Sequence, residues 1–160
     1  MSSSAAEAGF AAFLARSLDV LARERRDAYL ALCRTLAPRS VALVVDGDPV
    51  WLEFRQDGVR LHPVRRRAEA ELETSEAGIL AVIDGAATLA ALAIDDRLEL
   101  RGAVDDVLAF NDALSLYVHG AVRSPSFPRL LRDYRSAVAA RAHRARAVGA
   151  PASNIRGGRP

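Results

Sequence analysis

The sequence predicts an α+β domain in which helices cover one face of an antiparallel sheet. Residues 41–74 and 98–101 alternate between apolar and charged side chains, as the strands of a half-buried sheet do. Two short turn sequences, Gly47-Asp48 and Asp57-Gly58, separate the first strands as hairpin turns. Apolar residues recur at helical spacing on both sides of this region. Together these three patterns define the fold class.

Length and composition favour one domain with its own core. The chain has 160 residues, of which 51% are hydrophobic. Its single cysteine, Cys33, excludes an internal disulfide and a cysteine-based zinc site, and we expect it to be a small core residue. No apolar run approaches the roughly 18 residues of a membrane span. We therefore expect a cytoplasmic protein, with one domain over residues 1–148 and a disordered tail over residues 149–160.

The N-terminal region predicts a single helix over residues 5–36. Pro38 ends it, because proline disfavours helix at the residue before it. We expect Phe10 and Phe13, near its start, either to cover the mouth of a pocket or to anchor the helix. The apolar stripe of this helix consists of Phe10, Leu14, Leu18, Leu21, Tyr29, Leu32 and Leu36.

Four strands are expected next, at residues 41–46, 50–55, 59–63 and 68–74. Their alternation assigns one set of side chains to the covered face of the sheet. The opposite face is charged except for Trp51, which we interpret as a stacking partner for a nearby arginine. The residues assigned to the covered face are Leu52, Phe54, Val59, Leu61, Ala70 and Leu72.

A pair of short helices is expected after the fourth strand. Ser75 and Glu76 begin the first, because a hydroxyl cap and an acid favour a helix N-terminus. Gly85 suits its C-terminal end, and Thr88 caps the second helix. A fifth strand over residues 98–101 follows.

The last third of the chain predicts two more helices. The first begins at Asp105-Asp106 and completes a core that spans residues 41–117. Residues 124–128, Ser-Pro-Ser-Phe-Pro, break the chain. A final basic helix over residues 129–148 follows this break.

The charge of the chain is distributed unevenly. Residues 1–120 hold 13 arginines and 19 acids, whereas residues 121–160 hold nine arginines and one acid, Asp133. Such a segment could contact nucleic acid, anionic lipid or the acidic body of its own protein. A solvated helix face that partly offsets the acidic body is the simplest interpretation. Nucleic acid is not the expected partner, because no recognition motif accompanies the charge. The chain contains no lysine, a bias typical of a bacterial-type genome composition.

Motifs for catalysis or metal binding are not found. The sequence has no phosphate-binding glycine loop, no nucleophile elbow and no close group of metal ligands. Asp112, Tyr117 and His119 could be drawn as an acid–base set, but polar surface residues near a helix end explain them equally well. We expect no catalytic residue, no metal and no cofactor.

The span from Val41 to Leu116 resembles the sterol carrier protein type 2 (SCP2) family. Three segments carry the resemblance: VALVVDGDPVWLEF, then AELETSEAGILAVIDGAATLAALAIDDRLELRG, and finally DDVLAFNDALSLY. The chain departs from the family pattern at Asp95-Asp96, where a glycine is usual, and at Ala103, where an acid is usual.

The resemblance implies a five-stranded, mostly antiparallel sheet with helices on one face and an apolar tunnel between them. It also implies non-catalytic binding or carriage of a lipid, fatty acyl, sterol-like or quinone molecule. Carried over position by position, the ligand-binding residues are Leu52, Phe54, Leu61, Leu72, Ile79, Leu80, Ile83, Leu89, Leu92, Leu100, Phe110 and Leu114.

Two alternatives to a carrier remain at this stage. One is an enzyme or accessory factor that uses the tunnel to fold or cyclise a hydrophobic biosynthetic intermediate. The other is a scaffold in a lipid- or quinone-modifying complex. The N-terminal helix is expected to cover the tunnel or to mediate a homodimer. Arginines near the final helix could attract acyl-CoA phosphates, a fatty-acid carboxylate, an anionic membrane or a partner protein: Arg123, Arg129, Arg132 and Arg135.

Overall fold

The computed structural model describes residues 9–149. Within them the chain forms six helices and a five-stranded sheet, which confirms the predicted α+β class. The elements are α1 (Phe10–Glu24), α2 (Arg26–Leu36), β1 (Ser40–Val45), β2 (Asp48–Arg55), β3 (Gly58–His62), β4 (Ala70–Thr74), α3 (Glu76–Ile83), α4 (Leu89–Ile94), β5 (Leu98–Gly102), α5 (Val104–Val122) and α6 (Phe127–Gly149). None of the described helices is both long and apolar enough to cross a membrane.

The strand order of the sheet is β3-β2-β1-β4-β5, with β1 at the centre. Three of the four strand pairs are antiparallel, and β1 pairs with β4 in parallel, with Leu43 opposite Leu72. The parallel pair arises because the chain crosses from the edge strand β3 to the far side of β1 before it forms β4. The alternation of side chains predicts strands but not which strands become neighbours.

The two faces of the sheet differ as the alternation predicts. Leu52, Leu72 and Phe54 are buried on the covered face. On the other face Arg101 contacts Glu99 at 2.7 Å and Glu71 at 3.0 Å. Exposed pairs of this kind contribute little to stability, so the apolar face provides most of the energy that holds the sheet to the helices.

Trp51 differs from its expected role. It is only 8% exposed, and it lies opposite His62 on β3 and Ala42 on β1. No arginine stacks on its ring among residues 9–149. The expectation of an arginine stack is wrong for the described residues, because Trp51 is covered within the fold rather than left among solvated charges.

The single helix expected over residues 5–36 is in fact two helices, and residues 5–8 lie outside the described chain. Arg25 separates α1 from α2 with φ −138° and ψ 58°, which no helical residue adopts. The break redirects the chain, so that α2 packs along α5 and reaches β2 while α1 contacts α5 and α6. Neither glycine nor proline is present at this point, so the local sequence carries no signal for the break.

The expected pair of short helices is confirmed together with its caps. The Ser75 hydroxyl accepts a hydrogen bond from the Gly78 amide at 3.1 Å, and the Thr88 hydroxyl accepts one from the Ala91 amide at 3.1 Å. Gly85 adopts φ +69° after α3, a conformation that favours glycine.

The final helix starts at Phe127 rather than at residue 129, and it is described to Gly149. The tail expected over residues 149–160 lies outside the described chain beyond that glycine. Phe127 and Tyr134 are buried, and the ring of Tyr134 stacks on that of Phe13 with centroids 4.2 Å apart. Aromatic stacking therefore fixes α6 against α1.

Polar contacts fix the same helix against α3. The Tyr134 hydroxyl donates to Glu76 at 3.1 Å, and Arg141 pairs with the same carboxylate. Arg135 pairs with Asp84 at the other end of α3. The inner side of α6 thus contacts both ends of α3.

A glycine sets the distance between α5 and the N-terminal helices. A Cβ atom at Gly120 would lie 2.5 Å from Leu21 Cδ1 and 3.0 Å from Ala28 Cβ. Leu21 is fully buried, so it has little room to move away. Only glycine allows this approach without displacement of a neighbour.

We expect Gly120→Leu to lower the free energy of unfolding by about 2 kcal/mol or more, because overpacking exceeds the gain in helix propensity. Urea denaturation measures this change. Ser115→Leu at an exposed position of the same helix is the matched control and should shift stability by no more than about 0.5 kcal/mol. Equal stability of the two variants would contradict the close approach at Gly120.

Candidate ligand-binding cavity

An apolar cavity lies between the covered face of the sheet and the helices. Its volume is about 100 Å³, and it opens to solvent on one side. Helices α1 to α5 and strands β1, β2, β4 and β5 all contribute to its wall. The lining residues are Phe10, Phe13, Leu14, Leu18, Leu32, Leu36, Val41, Leu43, Leu52, Phe54, Leu72, Thr74, Gly78, Ile79, Val82, Ile83, Leu89, Leu92, Leu98, Phe110, Ala113, Leu114 and Tyr117.

The wall carries no charged side chain among the described residues. Its two polar side chains are Thr74 and Tyr117, and both hydroxyls donate to protein acceptors. Thr74 donates to the Arg97 carbonyl at 2.9 Å, and Tyr117 donates to the Ser17 hydroxyl at 2.8 Å. Because these hydroxyls are engaged, the interior offers hydrocarbon contacts rather than hydrogen bonds to an occupant.

Tyr117 joins α5 to α1 through a chain of hydroxyl groups. Ser17, which accepts from Tyr117, donates in turn to the Leu14 carbonyl at 2.8 Å. Burial raises the pKa of Tyr117 to about 12, because the phenolate would lose its hydration. The phenol therefore stays neutral near pH 7 and acts as a structural link rather than as an acid or base.

The mouth of the cavity is identified by the exposure of its wall. Lining residues from α1, α2 and the sheet are buried. The half-buried lining residues belong to α3, α4 and α5: Ile79, Val82, Ile83, Leu89 and Leu114. The opening therefore lies where these three helices meet the surface.

Gly78 allows α3 to form this side of the wall. A Cβ atom at Gly78 would lie 2.4 Å from Thr74 Oγ1, so only glycine lets the first turn of α3 approach the end of β4 so closely. This glycine is the one buried residue of α3, and the apolar side chains that follow it are half-buried. An apolar helix that is incompletely covered is expected beside an open cavity.

Nine of the twelve residues proposed from the sequence line the cavity, and the remaining three do not. Leu61 and Leu100 lie on the edge strands β3 and β5, and Leu80 lies on α3; all three pack against the core instead. Contact of the nine with a ligand stays a prediction. They are Leu52, Phe54, Leu72, Ile79, Ile83, Leu89, Leu92, Phe110 and Leu114.

The twelve ligand-binding residues proposed from the sequence include none from α1 and α2, although the N-terminal helix was expected to cover the tunnel. Their apolar stripe was visible in the sequence, but its spacing does not distinguish a cavity wall from ordinary core packing. Phe10 and Phe13, which were expected to cover a pocket or to anchor the helix, line the cavity, and Phe13 also stacks on Tyr134. The wall residues missed in these two helices are Phe10, Phe13, Leu14, Leu18, Leu32 and Leu36.

The candidate acid–base set is not assembled by the fold. Asp112 and His119 are exposed, whereas Tyr117 is buried and its hydroxyl contacts Ser17. Within residues 9–149, no group of three or more histidine, cysteine or acidic side chains is placed to hold a metal ion. Cys33 is buried, and burial raises the pKa of its thiol, which does not favour the reactive thiolate.

Solved structures similar to this chain include several SCP2 domains, whereas no family model and no curated protein matches it. The UbiJ-SCP2 ubiquinone synthesis protein is 20% identical, with 59% of this chain and 84% of that chain covered and a TM-score of 0.48. Sterol carrier protein 2 from Yarrowia lipolytica, in its apo form, is 14% identical, with 62% and 88% covered and a TM-score of 0.47. Sterol carrier protein domain 2 of Helicoverpa armigera is 9% identical, with 65% and 87% covered and a TM-score of 0.48.

All three TM-scores lie below 0.5 and all three identities lie at or below 20%, so neither the ligand nor the activity of these proteins is carried over to this chain.

We expect Tyr117→Phe to reduce the loss of stability at high pH. The pKa of this phenol is raised from an ordinary value of about 10 to about 12 in the folded state, so the unfolded state ionises first. Its contribution to stability is therefore fully present below pH 10 and is lost as the pH rises towards 12, by at most about 3 kcal/mol.

The measurement is urea denaturation of the wild type and of Tyr117→Phe between pH 8 and about pH 11.5. The variant should be less stable by about 1 kcal/mol at pH 8, because Ser17 loses its donor. The difference should shrink as the pH rises. A constant difference over this range would contradict the buried, neutral state of Tyr117.

Proposed function

We propose that the protein binds a hydrophobic small molecule non-covalently in this cavity and acts as its carrier or as an accessory factor. The supporting observation is the wall itself, which surrounds the space with apolar side chains and carries no charge among the described residues. A lipid, fatty acyl, sterol-like or quinone molecule has the apolar surface that such a wall favours. The hydrocarbon portion of the ligand enters the cavity.

The energetics suit reversible carriage. Burial of about ten methylene groups contributes roughly 8 kcal/mol, and association costs about 4 kcal/mol or more. The remainder of about 4 kcal/mol corresponds to a Kd of roughly 1 mM, and about five further buried methylene groups would bring the Kd to roughly 1 μM. Affinity in that range allows a ligand to be taken up and released without a covalent step.

Helix α1 forms part of the wall of the proposed binding cavity. It provides Phe10, Phe13, Leu14 and Leu18 to the wall, and all four are buried. Removal of the helix would therefore expose the cavity over its length. A role of α1 in a homodimer is the alternative, and the oligomeric state of the full chain in solution tests it.

The two other functions have less support. An enzyme acting in the cavity would need an ionisable group on the wall, and the described wall offers only Tyr117, whose hydroxyl already donates to Ser17. A scaffold that docks partners through its first helix would leave the apolar stripe of that helix exposed. In α1 this stripe is buried.

Native mass spectrometry of the purified full chain, followed by organic extraction, tests the proposal directly. We expect a hydrophobic molecule to co-purify, or a fluorescent fatty acid to be taken up at one molecule per chain. An empty protein that takes up neither a fluorescent fatty acid nor a fluorescent sterol would overturn it.

A pair of substitutions on α5 tests the location of the ligand. Leu114 lines the cavity near its mouth, whereas Leu116 is also half-buried but does not line it. We expect Leu114→Trp to reduce uptake of the fluorescent fatty acid at least about tenfold, because the indole occupies space that the ligand needs.

Leu116→Trp is the matched control and should bind as the wild type does. Fluorescence titration measures both affinities, and thermal unfolding establishes that both variants are folded. Equal affinity of the two variants would place the ligand elsewhere.

A further inference from the structure

The arginines of α6 form two sets that differ in their surroundings. The inner set, Arg135 and Arg141, pairs with Asp84 and Glu76 on α3. These ion pairs agree with the expectation that the basic segment partly offsets the acidic charge of the rest of the protein. They account for only part of the charge of this helix.

The second set lies on the exposed side of α6, opposite the buried Tyr134 and the half-buried Arg141 and bordered by Arg135, in a line that we call the outer stripe. Its residues follow one another at spacings of three and four, so they share one helix face. All of them are exposed, and the stripe contains no acid; Asp133 and Arg144 flank it. The outer stripe consists of Arg129, Arg132, Ser136, Ala139, His143 and Arg146.

The arginines of the outer stripe have no ion-pair partner in the described part of the chain. Ion pairs elsewhere in residues 9–149 use other arginines, such as Arg39 with Asp106 and Arg101 with Glu99. Three exposed arginines therefore share one helix face on which the stripe itself contains no acid. Repulsion among them is relieved by an anionic partner.

We propose that the outer stripe docks the protein on an anionic phospholipid surface. Over its 17 residue steps the helix presents charge along about 25 Å, a length that spans several lipid head groups. Anionic head groups attract arginines near the surface. The stripe carries no large apolar side chain, so the contact is electrostatic and the helix stays on the surface rather than inserting.

The composition of the stripe favours lipid over nucleic acid. It has no phenylalanine, tyrosine or tryptophan for stacking on bases and no asparagine or glutamine for contacts to base edges. In addition, α6 packs on α1 and α3, which both wall the cavity. This second argument rests on the proposed function, because a docked α6 would hold the cavity beside the phase in which hydrophobic ligands dissolve.

Sedimentation of the full chain with phospholipid vesicles tests the docking surface. We expect binding to phosphatidylcholine vesicles that contain about one third phosphatidylserine, and no binding to pure phosphatidylcholine. Binding should fall steeply with added salt, because exposed charges are screened. The triple variant Arg129→Gln, Arg132→Gln, Arg146→Gln should lose about 100-fold in affinity, at about fivefold per arginine.

The matched control removes the same charge elsewhere. Arg65, Arg66 and Arg67 are exposed between β3 and β4, and their replacement by glutamine should change vesicle affinity by less than about threefold. An equal loss in both triple variants would overturn the outer stripe as the docking surface. Binding to duplex DNA without binding to anionic vesicles would also overturn it, in favour of a nucleic-acid partner.

The uptake and vesicle experiments test the proposed function and the docking surface independently. Vesicle binding without uptake of a fluorescent fatty acid or sterol would overturn the proposed function and support the docking surface. Uptake without vesicle binding would support the proposed function and overturn the docking surface.

Discussion

The rest of the structure depends on the apolar cavity between the covered face of the sheet and the helices, a space that the side chains do not fill. Protein interiors are normally close-packed, so side chains that line an unfilled space lose contacts that they would make in a filled core. Close contacts fix the positions of the elements that surround this space. Gly78 brings α3 against the end of β4, and Gly120 brings α5 against α1 and α2. Tyr117 links α5 to α1 through Ser17. An apolar occupant would recover the lost contacts, which is the physical reason for the proposed carriage.

Charge in this protein is separated from the cavity and organised around it. Acids on α3 contact the inner side of α6 through Glu76 and Asp84, and the charged face of the sheet pairs largely with itself through Arg101. The arginines of the outer stripe are exposed and have no ion-pair partner in the described chain. The same helix therefore has two proposed roles. Its inner side packs against helices that line the cavity, and its outer stripe binds an anionic membrane surface.

Local signals allowed several elements to be predicted well. The hydroxyl caps Ser75 and Thr88 and the left-handed Gly85 were predicted because their causes lie within a few residues of each one. Features that depend on distant contacts were not predicted. The break at Arg25 lacks a glycine or proline, and it follows from the different packing partners of α1 and α2. The burial of Trp51 likewise depends on the surrounding fold rather than on its neighbours in sequence.

For the cavity, the sequence by itself determined which side chains face inward, because alternation along a strand and the spacing along a helix follow from backbone geometry. Nine of the twelve residues selected in this way lie on the wall. Only the tertiary structure decided that Leu61 and Leu100 pack at the edges of the sheet, that β1 and β4 run parallel, and that α1 closes the space. The spacing of apolar residues in the sequence is the same whether their side chains contact other side chains or line an open cavity. Which of the two occurs depends on how distant elements pack together.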